Sequence, residues 1–390
     1  MHRKKEEGLN RKNFIFVLGL FLFSLLLNAQ TWTSSKRITW TPNLTSDAQI
    51  AVDSSDIVHV VYVDGPPGDS EIYYKRSTDG GITWIGTTRL TWNTSYSVNP
   101  SMAIDSVDTI HIVWSDLSLA TFNELCHKKS TDGGNTWSST KRLTWTAGIS
   151  RYPEIVIDSN DHIYLVWEES VSWNYEMFYK KSTNGGNTWI GTKRLSWTPD
   201  LSRDPVIAVD SNDNIQVLWW EDTSLKDNLF YRRSTDGGAN WVPTKKLTWN
   251  DHSSRPFVAI DHSDHIHVVW ENYISNREIF HNKSTDGGNT WGQAKRLTWN
   301  SGTSQSPLLI VDSSNRLHLI WSDLTSGNYE LYHRKSTDGG ITWSGTKRIL
   351  WTSGSSEYPK VAVDSGDDIH VVWTEISSTY KDILYKKGIQ

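Results

Sequence analysis

One unit of about 50 residues recurs along the chain, and it limits the fold more than any other feature. The motif Lys-Arg-Leu-Thr-Trp and its variants end at seven evenly spaced tryptophans, with steps of 52, 53, 52, 52, 50 and 52 residues. These tryptophans are Trp40, Trp92, Trp145, Trp197, Trp249, Trp299 and Trp351. A fixed period of this length is typical of a propeller or a solenoid.

Each unit contains four short runs with β-strand character. In residues 256–299 the runs are PFVAID, HIHVVW, REIFHNKS and QAKRLTW, separated by Asp, Ser, Gly and Asn. No window shows a convincing 3.6-residue period, so helices are not expected. Four strands per unit is the composition of a propeller blade. The sequence therefore predicts an all-β, seven-bladed β-propeller with four antiparallel strands per blade.

The two ends of the repeat array complement each other. Residues 30–40 contain the tail of one unit and a fourth strand, whereas residues 357–387 contain three strands and no fourth. Pairing them would close the ring and leave no open end blade. We therefore predict one domain over residues 30–390. Its blades span about 46–92, 98–145, 150–197, 202–249, 254–299, 305–351 and 357–387, the last completed by 30–40.

Residues 1–29 have the composition of a targeting segment. A basic start precedes the apolar run 14–27, and Ala29 follows as a small cleavage residue. This pattern predicts a secretory signal peptide, with an uncleaved N-terminal anchor as the alternative. No later stretch is apolar enough to cross a membrane. We therefore expect a protein that is secreted, either periplasmic or extracellular.

Charge and cysteine content exclude several classes of protein. Residues 1–29 hold five basic and two acidic residues. Without them the chain has 34 basic and 42 acidic residues, a net charge of −8. Nucleic acid is therefore not an expected partner, because phosphate binding needs a basic surface. The single cysteine, Cys126, cannot form an internal disulfide or a cysteine-rich zinc site. We expect a monomer without a cofactor.

An octapeptide of the form Ser-x-Asp-x-Gly-x-Thr-Trp precedes the fourth strand. STDGGNTW occurs at 130–137 and 284–291, with close copies at 77–84, 182–189, 234–241 and 336–343. This octapeptide is the Asp box, or BNR repeat, and the chain resembles the sialidase-like family of Asp-box β-propellers. We interpret its acidic column as structural, with side chains that accept hydrogen bonds from turn N–H groups. The column comprises Asp79, Asp132, Asn184, Asp236, Asp286 and Asp338. The resemblance implies that the boxes lie away from the ligand site.

Residues that break the repeat are the candidate binding residues. Of 22 tryptophans, 20 fall in repeated columns, while Trp173 and Trp220 follow the second strands of blades 3 and 4. Arg151-Tyr152-Pro153, Arg203-Asp204-Pro205 and Arg255-Pro256 precede the first strands of blades 3, 4 and 5. Both kinds of loop share one face, called here the top face. Aromatic rings beside guanidinium groups suit a sugar with hydroxyl or carboxylate groups. The alternative is a set of variable loops in which arginines pair with acids.

Three other polar columns repeat, and we interpret all three as structural. The second strands carry His59, His111, His267, His318 and His370, with Tyr164 and Gln216 in the remaining blades. These histidines are expected to be satisfied between blades. Two residues after the tryptophan or tyrosine that closes each second strand stands a mostly acidic position. Its side chains are expected to pair with the next blade's loop, with cation binding as the alternative; they are Asp64, Asp116, Glu169, Glu221, Asn272, Asp323 and Glu375. Turn pairs such as Asp53 and Asp56 are expected to bond their own backbone, with Ca²⁺ as a weak alternative.

The resemblance to sialidases also raises catalysis. It implies an Arg-x-Pro element, an arginine triad, a Tyr–Glu nucleophile pair and an acid/base aspartate. Tyr358 beside Glu357 is the nearest candidate nucleophile, and no long insertion supplies the aspartate. The leading hypothesis is a non-catalytic module that binds a glycan or an extracellular protein on the top face of blades 3–5. The alternatives are a sialidase-like exo-glycosidase and a structural surface or assembly module.

Overall fold

The prediction of a seven-bladed, all-β propeller is confirmed. The computed structural model describes residues 30–66, 68–118, 122–222, 226–249, 252–378 and 380–390, so the predicted signal segment lies outside the described residues. These residues form seven antiparallel sheets of four strand positions each. Within these ranges the chain contains no helix, and hence none that could cross a membrane.

Strands follow the blades in chain order. The first two are β1 (Thr31–Trp32) and β2 (Lys36–Arg37). Blade 1 has β3 (Ser46–Val52), β4 (Val58–Asp64), β5 (Glu71–Ser77) and β6 (Ile85–Arg89); blade 2 has β7 (Ser97–Ile104), β8 (Ile110–Asp116), β9 (Glu124–Ser130) and β10 (Lys141–Arg142). Blade 3 has β11 (Ser150–Ile157), β12 (Ile163–Val171), β13 (Asn174–Ser182) and β14 (Ile190–Arg194); blade 4 has β15 (Leu201–Val209), β16 (Ile215–Asp222), β17 (Asn228–Ser234) and β18 (Lys245–Lys246). Blade 5 has β19 (His252–Ile260), β20 (Ile266–Tyr273), β21 (Arg277–Ser284) and β22 (Lys295–Arg296); blade 6 has β23 (Ser304–Val311), β24 (Leu317–Asp323), β25 (Glu330–Ser336) and β26 (Lys347–Arg348); blade 7 has β27 (Ser355–Val363), β28 (Ile369–Ile376) and β29 (Lys381–Ile389).

The N-terminal residues complete blade 7, as the sequence predicted. Both β1 and β2 pair with β29, with Thr31 opposite Ile389 and Lys36 opposite Tyr385. Side chains reinforce this pairing, because Thr39 Oγ1 donates to Asp382 Oδ1 at 2.7 Å and accepts from the Ile383 N–H at 2.9 Å. The ring is therefore closed by contacts between the two ends of the domain.

The hydrophobic core lies between blades. Each second strand is almost fully buried, and six of the seven carry a tryptophan that is at most 2% exposed. Trp114 of blade 2, for example, belongs to one cluster with Val61 and Tyr74 of blade 1. Because each cluster combines residues of two neighbouring sheets, one blade cannot bury its apolar faces alone.

Polar bridges also join neighbouring blades, on the face opposite the top face. Ser54 N and Oγ donate to both carboxylate oxygens of Asp108 in the next blade, and Ser365 of blade 7 does the same to Asp56 of blade 1. Only the first acid of each turn, such as Asp53, bonds its own turn backbone. The expectation that both acids serve their own backbone is therefore wrong for the second acid.

The repeated histidines find their partners inside their own blade. His59 Nε2 lies 3.1 Å from Asp53 Oδ2, and His59 Nδ1 lies 2.6 Å from the Tyr74 hydroxyl. The link to the next blade is made by Tyr74, whose hydroxyl donates to the Gly133 carbonyl at 3.3 Å. The histidines are hydrogen-bonded as expected. His59 lies on the face of β4 that also carries Val61 and Val63, which pack against blade 2, but its bond to that blade is made through Tyr74.

The octapeptide is a hydrogen-bonded turn between the third and fourth strands. Asp132 accepts from the Thr136 N–H (2.8 Å) and from the hydroxyls of Thr136 and Ser130. Gly134, at φ +85°, lies against Tyr74 of the preceding blade so closely that a Cβ would overlap the phenol ring. Trp137 packs edge-on against the same ring, with centroids 5.1 Å apart. The turn thereby attaches each blade to its neighbour.

Closure of the ring is testable at Thr39. A Thr39→Val variant loses the hydroxyl bonded to the buried Asp382 and to the Ile383 N–H, so we expect it to lower the free energy of unfolding by about 1–3 kcal/mol. Thr144→Val is the matched control, because Thr144 accepts the equivalent N–H bond from Leu125 within blade 2. Urea denaturation measures both. A neutral Thr39→Val beside a destabilising Thr144→Val would contradict this closure.

Candidate functional site

A β-bulge recurs in the first strand of every blade. One residue of each bulge has a left-handed backbone, with φ between 46° and 53°. These residues are Asp47, Asn99, Tyr152, Asp204, Arg255, Ser306 and Tyr358, called here the channel ring. They line a central cavity of about 670 Å³. Because bulky residues rarely adopt this backbone conformation, whereas Asp and Asn tolerate it, the fold holds Tyr152, Arg255 and Tyr358 in a strained conformation around one cavity.

The bulge separates the three candidate arginines. Arg151 and Arg203 precede the channel ring and lie opposite Glu168 and Trp220 of the second strands. In blade 5 this position is taken by Ser254, opposite Glu271, and Arg255 belongs to the channel ring itself. The shift arises because the bulge is placed relative to the following proline, and blade 5 has one residue fewer between arginine and proline.

Arg151 and Arg203 come together on one tyrosine. The Arg151 guanidinium carbon lies 3.8 Å from the centroid of the Tyr175 ring, and that of Arg203 lies 5.1 Å away. Arg151 Nε donates to Glu168 Oε2 at 2.9 Å, and Arg203 Nη1 lies 4.0 Å from the same oxygen. We call Arg151, Glu168, Trp173, Tyr175 and Arg203 the blade 3–4 site. Both arginine side chains remain about a quarter exposed.

Glu168 is the buried carboxyl of this site. Its side chain has no exposed surface, and its Oε1 accepts the Asp204 N–H at 2.7 Å. Burial raises the pKa of Glu168 to about 7, although the Asp204 N–H and Arg151 oppose the shift. Asp204 itself accepts the Trp220 indole N–H at 2.8 Å. Glu168 therefore changes between its neutral and its charged form near pH 7, which alters the negative charge beside Arg151 and Arg203.

The two unrepeated tryptophans have different environments. Trp173 lies at the tip of the β12–β13 hairpin, where Ser172 (φ 51°) and Trp173 (φ 68°) form a two-residue turn of the kind that favours Asn-Gly. It is 87% exposed. Trp220 lies within β16 and packs partly against the core between blades 4 and 5. The expectation that both lie in loops is therefore wrong for Trp220.

A second acid–arginine cluster repeats this arrangement in blade 5. The buried Glu271 lies 3.4 Å from both Arg255 and Arg277 and accepts the Ser306 N–H at 2.8 Å. Tyr358, the next channel-ring residue after Ser306, is half exposed and close enough to Arg255 to influence its pKa. The three candidate arginines thus form two clusters, one around Glu168 and one around Glu271.

Sequence reasoning missed Tyr175, Glu271 and Arg277. Tyr175 and Arg277 occupy one column, directly before the acidic or amide residue at the start of the third strand. That column varies strongly, through Ser70, Asn123, Tyr175, Asp227, Arg277, Tyr329 and Lys381. This variation between blades was the signal available in the sequence, because the predicted binding positions also vary from blade to blade.

The acidic column after the strand-two tryptophan is bonded to its own blade and to the loop that leads into that blade, where Asn93 donates to Asp116 at 3.2 Å. Glu169 Oε2 accepts from Ser150 Oγ at 2.6 Å and from the Trp167 indole at 2.9 Å. Asp116, Asp323 and Glu375 accept the equivalent bonds from serine and tryptophan. The expected pairing with the next blade is therefore wrong, because the first strand of the same blade supplies the serine.

One group of ligand-type side chains lies on the opposite face. Oxygen and nitrogen atoms of Asp261, His265 and His267 fall within 4.8 Å of one another. Asp261 Oδ2 is bonded to both imidazoles, at 2.9 and 3.2 Å, and the second His267 nitrogen lies 3.1 Å from His281. The pairing of Asp312 with His318 repeats this contact in blade 6, so the group follows the structural repeat.

Comparisons with known proteins show the fold alone. No family model and no curated protein matches the chain. Among solved structures, an ulvan lyase, a polysaccharide lyase bound to -[GlcA(1-4)Rha3S]-, matches at 14% identity with a TM-score of 0.67, covering 92% of this chain and 95% of its own. The intramolecular trans-sialidase of Ruminococcus gnavus matches at 14% identity and 0.52 over 88% and 94%, and the NanB sialidase of Streptococcus pneumoniae at 14% and 0.51 over 93% and 70%. The chain thus has a propeller fold similar to those of sialidases and this lyase.

The environment of Glu168 gives the site a pH dependence. Its folded pKa of about 7 exceeds the ordinary value of 4.5, so between these values the folded protein binds more protons than the unfolded chain. This contribution to stability is present below pH 4.5 and is lost as pH rises through 7. Between pH 5 and pH 8 we expect the free energy of unfolding of wild type to fall by about 1–3 kcal/mol more than that of Glu168→Gln. Urea denaturation at both values measures this, and identical losses would contradict it.

Proposed function

We propose that this propeller binds an acidic glycan on its top face, at the blade 3–4 site, without cleaving it. The observation that carries the proposal is the convergence of Arg151 and Arg203 on Tyr175, below a hairpin that exposes Trp173. A planar guanidinium binds a carboxylate or sulfate through paired N–H groups. An exposed indole offers a flat surface for one side of a pyranose ring.

The electrostatics of the site favour an acidic ligand. Glu168 neutralises part of the charge on the two arginines, and its raised pKa allows it to take up a proton near pH 7. A bound carboxylate or sulfate would replace that negative charge beside Arg151 and Arg203. We therefore expect affinity to increase as pH falls from 8 to 6.

The similar structures support an acidic ligand by analogy of fold. Two are named as sialidase and trans-sialidase, and the lyase is bound to a unit that contains GlcA and Rha3S. The predicted signal segment in residues 1–29 supports an extracellular or periplasmic place of action. A protein ligand at the same surface remains an alternative outcome of the binding test.

Binding can be tested on an array of acidic and neutral glycans. We expect Trp173→Ala and Arg203→Ala to weaken binding to acidic glycans roughly tenfold or more, because each removes a central contact. Arg203→Lys, which keeps charge but loses the planar group, should weaken it partially. Val107→Ala is the control for an exposed apolar side chain on the opposite face. Absence of any glycan signal, or equal signals for all variants, would contradict the proposal.

A sialidase-like glycosidase is the second candidate function. The observation that favours it is Glu168, a buried carboxyl with a pKa suited to acid–base chemistry, on the same ring of blades as Tyr358 and Arg255. In this hypothesis Tyr358, next to Glu357, is the nucleophile, and Arg151, Arg203 and Arg255 hold the substrate carboxylate.

Hydrolysis assays separate the two candidates. The binding proposal predicts that wild type releases no fluorophore from a sialoside and forms no unsaturated uronate from a uronic-acid polysaccharide. The glycosidase hypothesis requires fluorophore release that Tyr358→Phe abolishes while glycan binding persists. Release by wild type at a rate unchanged in Tyr358→Phe would reject Tyr358 as the nucleophile.

A further inference from the structure

The seven tryptophans that end the Lys-Arg-Leu-Thr-Trp motif form an exposed array around the outside of the ring. Their side chains are 62% to 71% exposed, and one stands at the end of the outer strand of every blade. The tryptophans of the second strands, by contrast, are at most 2% exposed. Since so much of each ring faces solvent, core packing does not explain why every blade carries tryptophan here.

A groove beside Trp40 shows the surroundings of one member of the array. Between the outer strand of blade 7 and blade 1 lies a cavity of about 360 Å³, lined by Lys36, Arg37, Trp40, Lys75, Ile82 and Trp84. Lys75 Nζ lies 5.9 Å from the centroid of the Trp40 ring and donates to the Ile38 carbonyl at 2.6 Å. An open aromatic surface and a cationic group thus share one groove.

The groove carries net positive charge. Arg37 is paired with the buried Asp382, but Lys36 and Lys75 donate to backbone carbonyls of Gly81, Ile82 and Ile38. Carbonyl oxygens satisfy the ammonium hydrogens without cancelling the charge. Among the residues that the structure describes, neither lysine forms a salt bridge, so both favour an anionic ligand.

The same chemistry recurs at other blades. Lys128 lies 5.5 Å from the Trp92 ring, Lys180 5.7 Å from Trp145, and Arg232 5.7 Å from Trp197. Lys128 and Lys180 are buried and donate to the Leu90 and Leu143 carbonyls, so they contribute positive potential at the surface rather than free donors. Blade 4 departs from the pattern, since Lys246 replaces the motif arginine and lies against Phe230, and Asn282 takes the position of the lysine across the groove. Trp249 is therefore an exposed tryptophan without the usual cationic surroundings.

We propose that this outer tryptophan array is a multivalent binding surface for a repeating acidic polysaccharide, carrying sulfate or uronate groups. The electron-rich face of each indole would stack on a sugar ring, and the positive potential of the adjacent cations would favour a sugar that carries acid groups. A polymer presents the same group at regular intervals, which matches a surface that presents the same pair of side chains blade after blade. Several weak contacts of this kind add up through avidity. The array is distinct from the blade 3–4 site and does not depend on it.

A purely structural role makes a different prediction. If the tryptophans only shield the hydrogen bonds between blades, such as that of Lys75 to Ile38, their removal would lower stability and leave polysaccharide binding unchanged. Binding and unfolding must therefore be measured on the same variants.

The test uses the domain, residues 30–390, with heparin and polygalacturonate as acidic probes and dextran as the neutral one. We expect wild type to bind both acidic polymers and not dextran. Trp145→Ala should weaken binding more than the matched control Trp249→Ala, and a triple variant with alanine at Trp40, Trp145 and Trp197 should weaken it about tenfold or more through lost avidity. Val107→Ala, an exposed apolar side chain outside both sites, should leave polymer binding within about twofold. The tryptophan variants are also compared in an Arg203→Ala background, which removes the contribution of the blade 3–4 site and should leave their relative effects unchanged.

Each outcome decides the proposal. Loss of acidic-polymer binding in the triple variant, with an unchanged melting temperature, supports it. Three results would overturn it: equal binding by the triple variant and wild type, equal effects of Trp145→Ala and Trp249→Ala, or concentration-dependent self-association that the triple variant abolishes without any polysaccharide binding. The last result would assign the array to contacts between copies of the chain.

Discussion

The rest of the structure depends on packing between neighbouring blades. Because each hydrophobic cluster combines two sheets, no blade is complete alone, and the ring must close for the first and last sheets to be covered. This explains why so many repeated residues act across an interface. Tyr74 bonds to the Gly133 carbonyl, Trp137 packs on Tyr74, and Ser54 bonds to Asp108, all between blades 1 and 2. The most repeated sequence in the chain is thus the attachment of one blade to the next.

The same architecture sets where variation is tolerated. The bulge that begins each blade fixes a left-handed residue at seven points around the central cavity, whatever side chain is present. Those side chains line one cavity and belong to none of the hydrophobic clusters between blades, so their chemistry varies from Asn99 to Tyr358. Strained backbone and variable chemistry at one opening are features of binding and catalytic sites. The blade 3–4 site lies beside this ring, at the blades where the repeat is most altered.

Sequence patterns predicted what is local and periodic. The spacing of the tryptophans gave the number of blades, and the complementary ends gave the closure through residues 30–40. Partners that come from different strands were not predictable. Glu168 pairs with Arg151 across β11 and β12 of blade 3, and it meets Arg203 because blade 4 is adjacent. Tyr175, which is 24 residues after Arg151 and 28 residues before Arg203 in the chain, contacts both arginines from β13. The missing residue before Pro256 is visible in the sequence, but its effect on Arg255 depends on the bulge, which places the residue before the proline in the channel ring.

The central claim is that ligand recognition lies in the residues that break the repeat. Backbone hydrogen exchange, with and without a short acidic oligosaccharide that cannot span several blades, tests it most directly. The account predicts slower exchange around residues 150–152, 168–176 and 202–205, and little change elsewhere. Protection confined to the octapeptide turns, or spread equally over all seven blades, would contradict it.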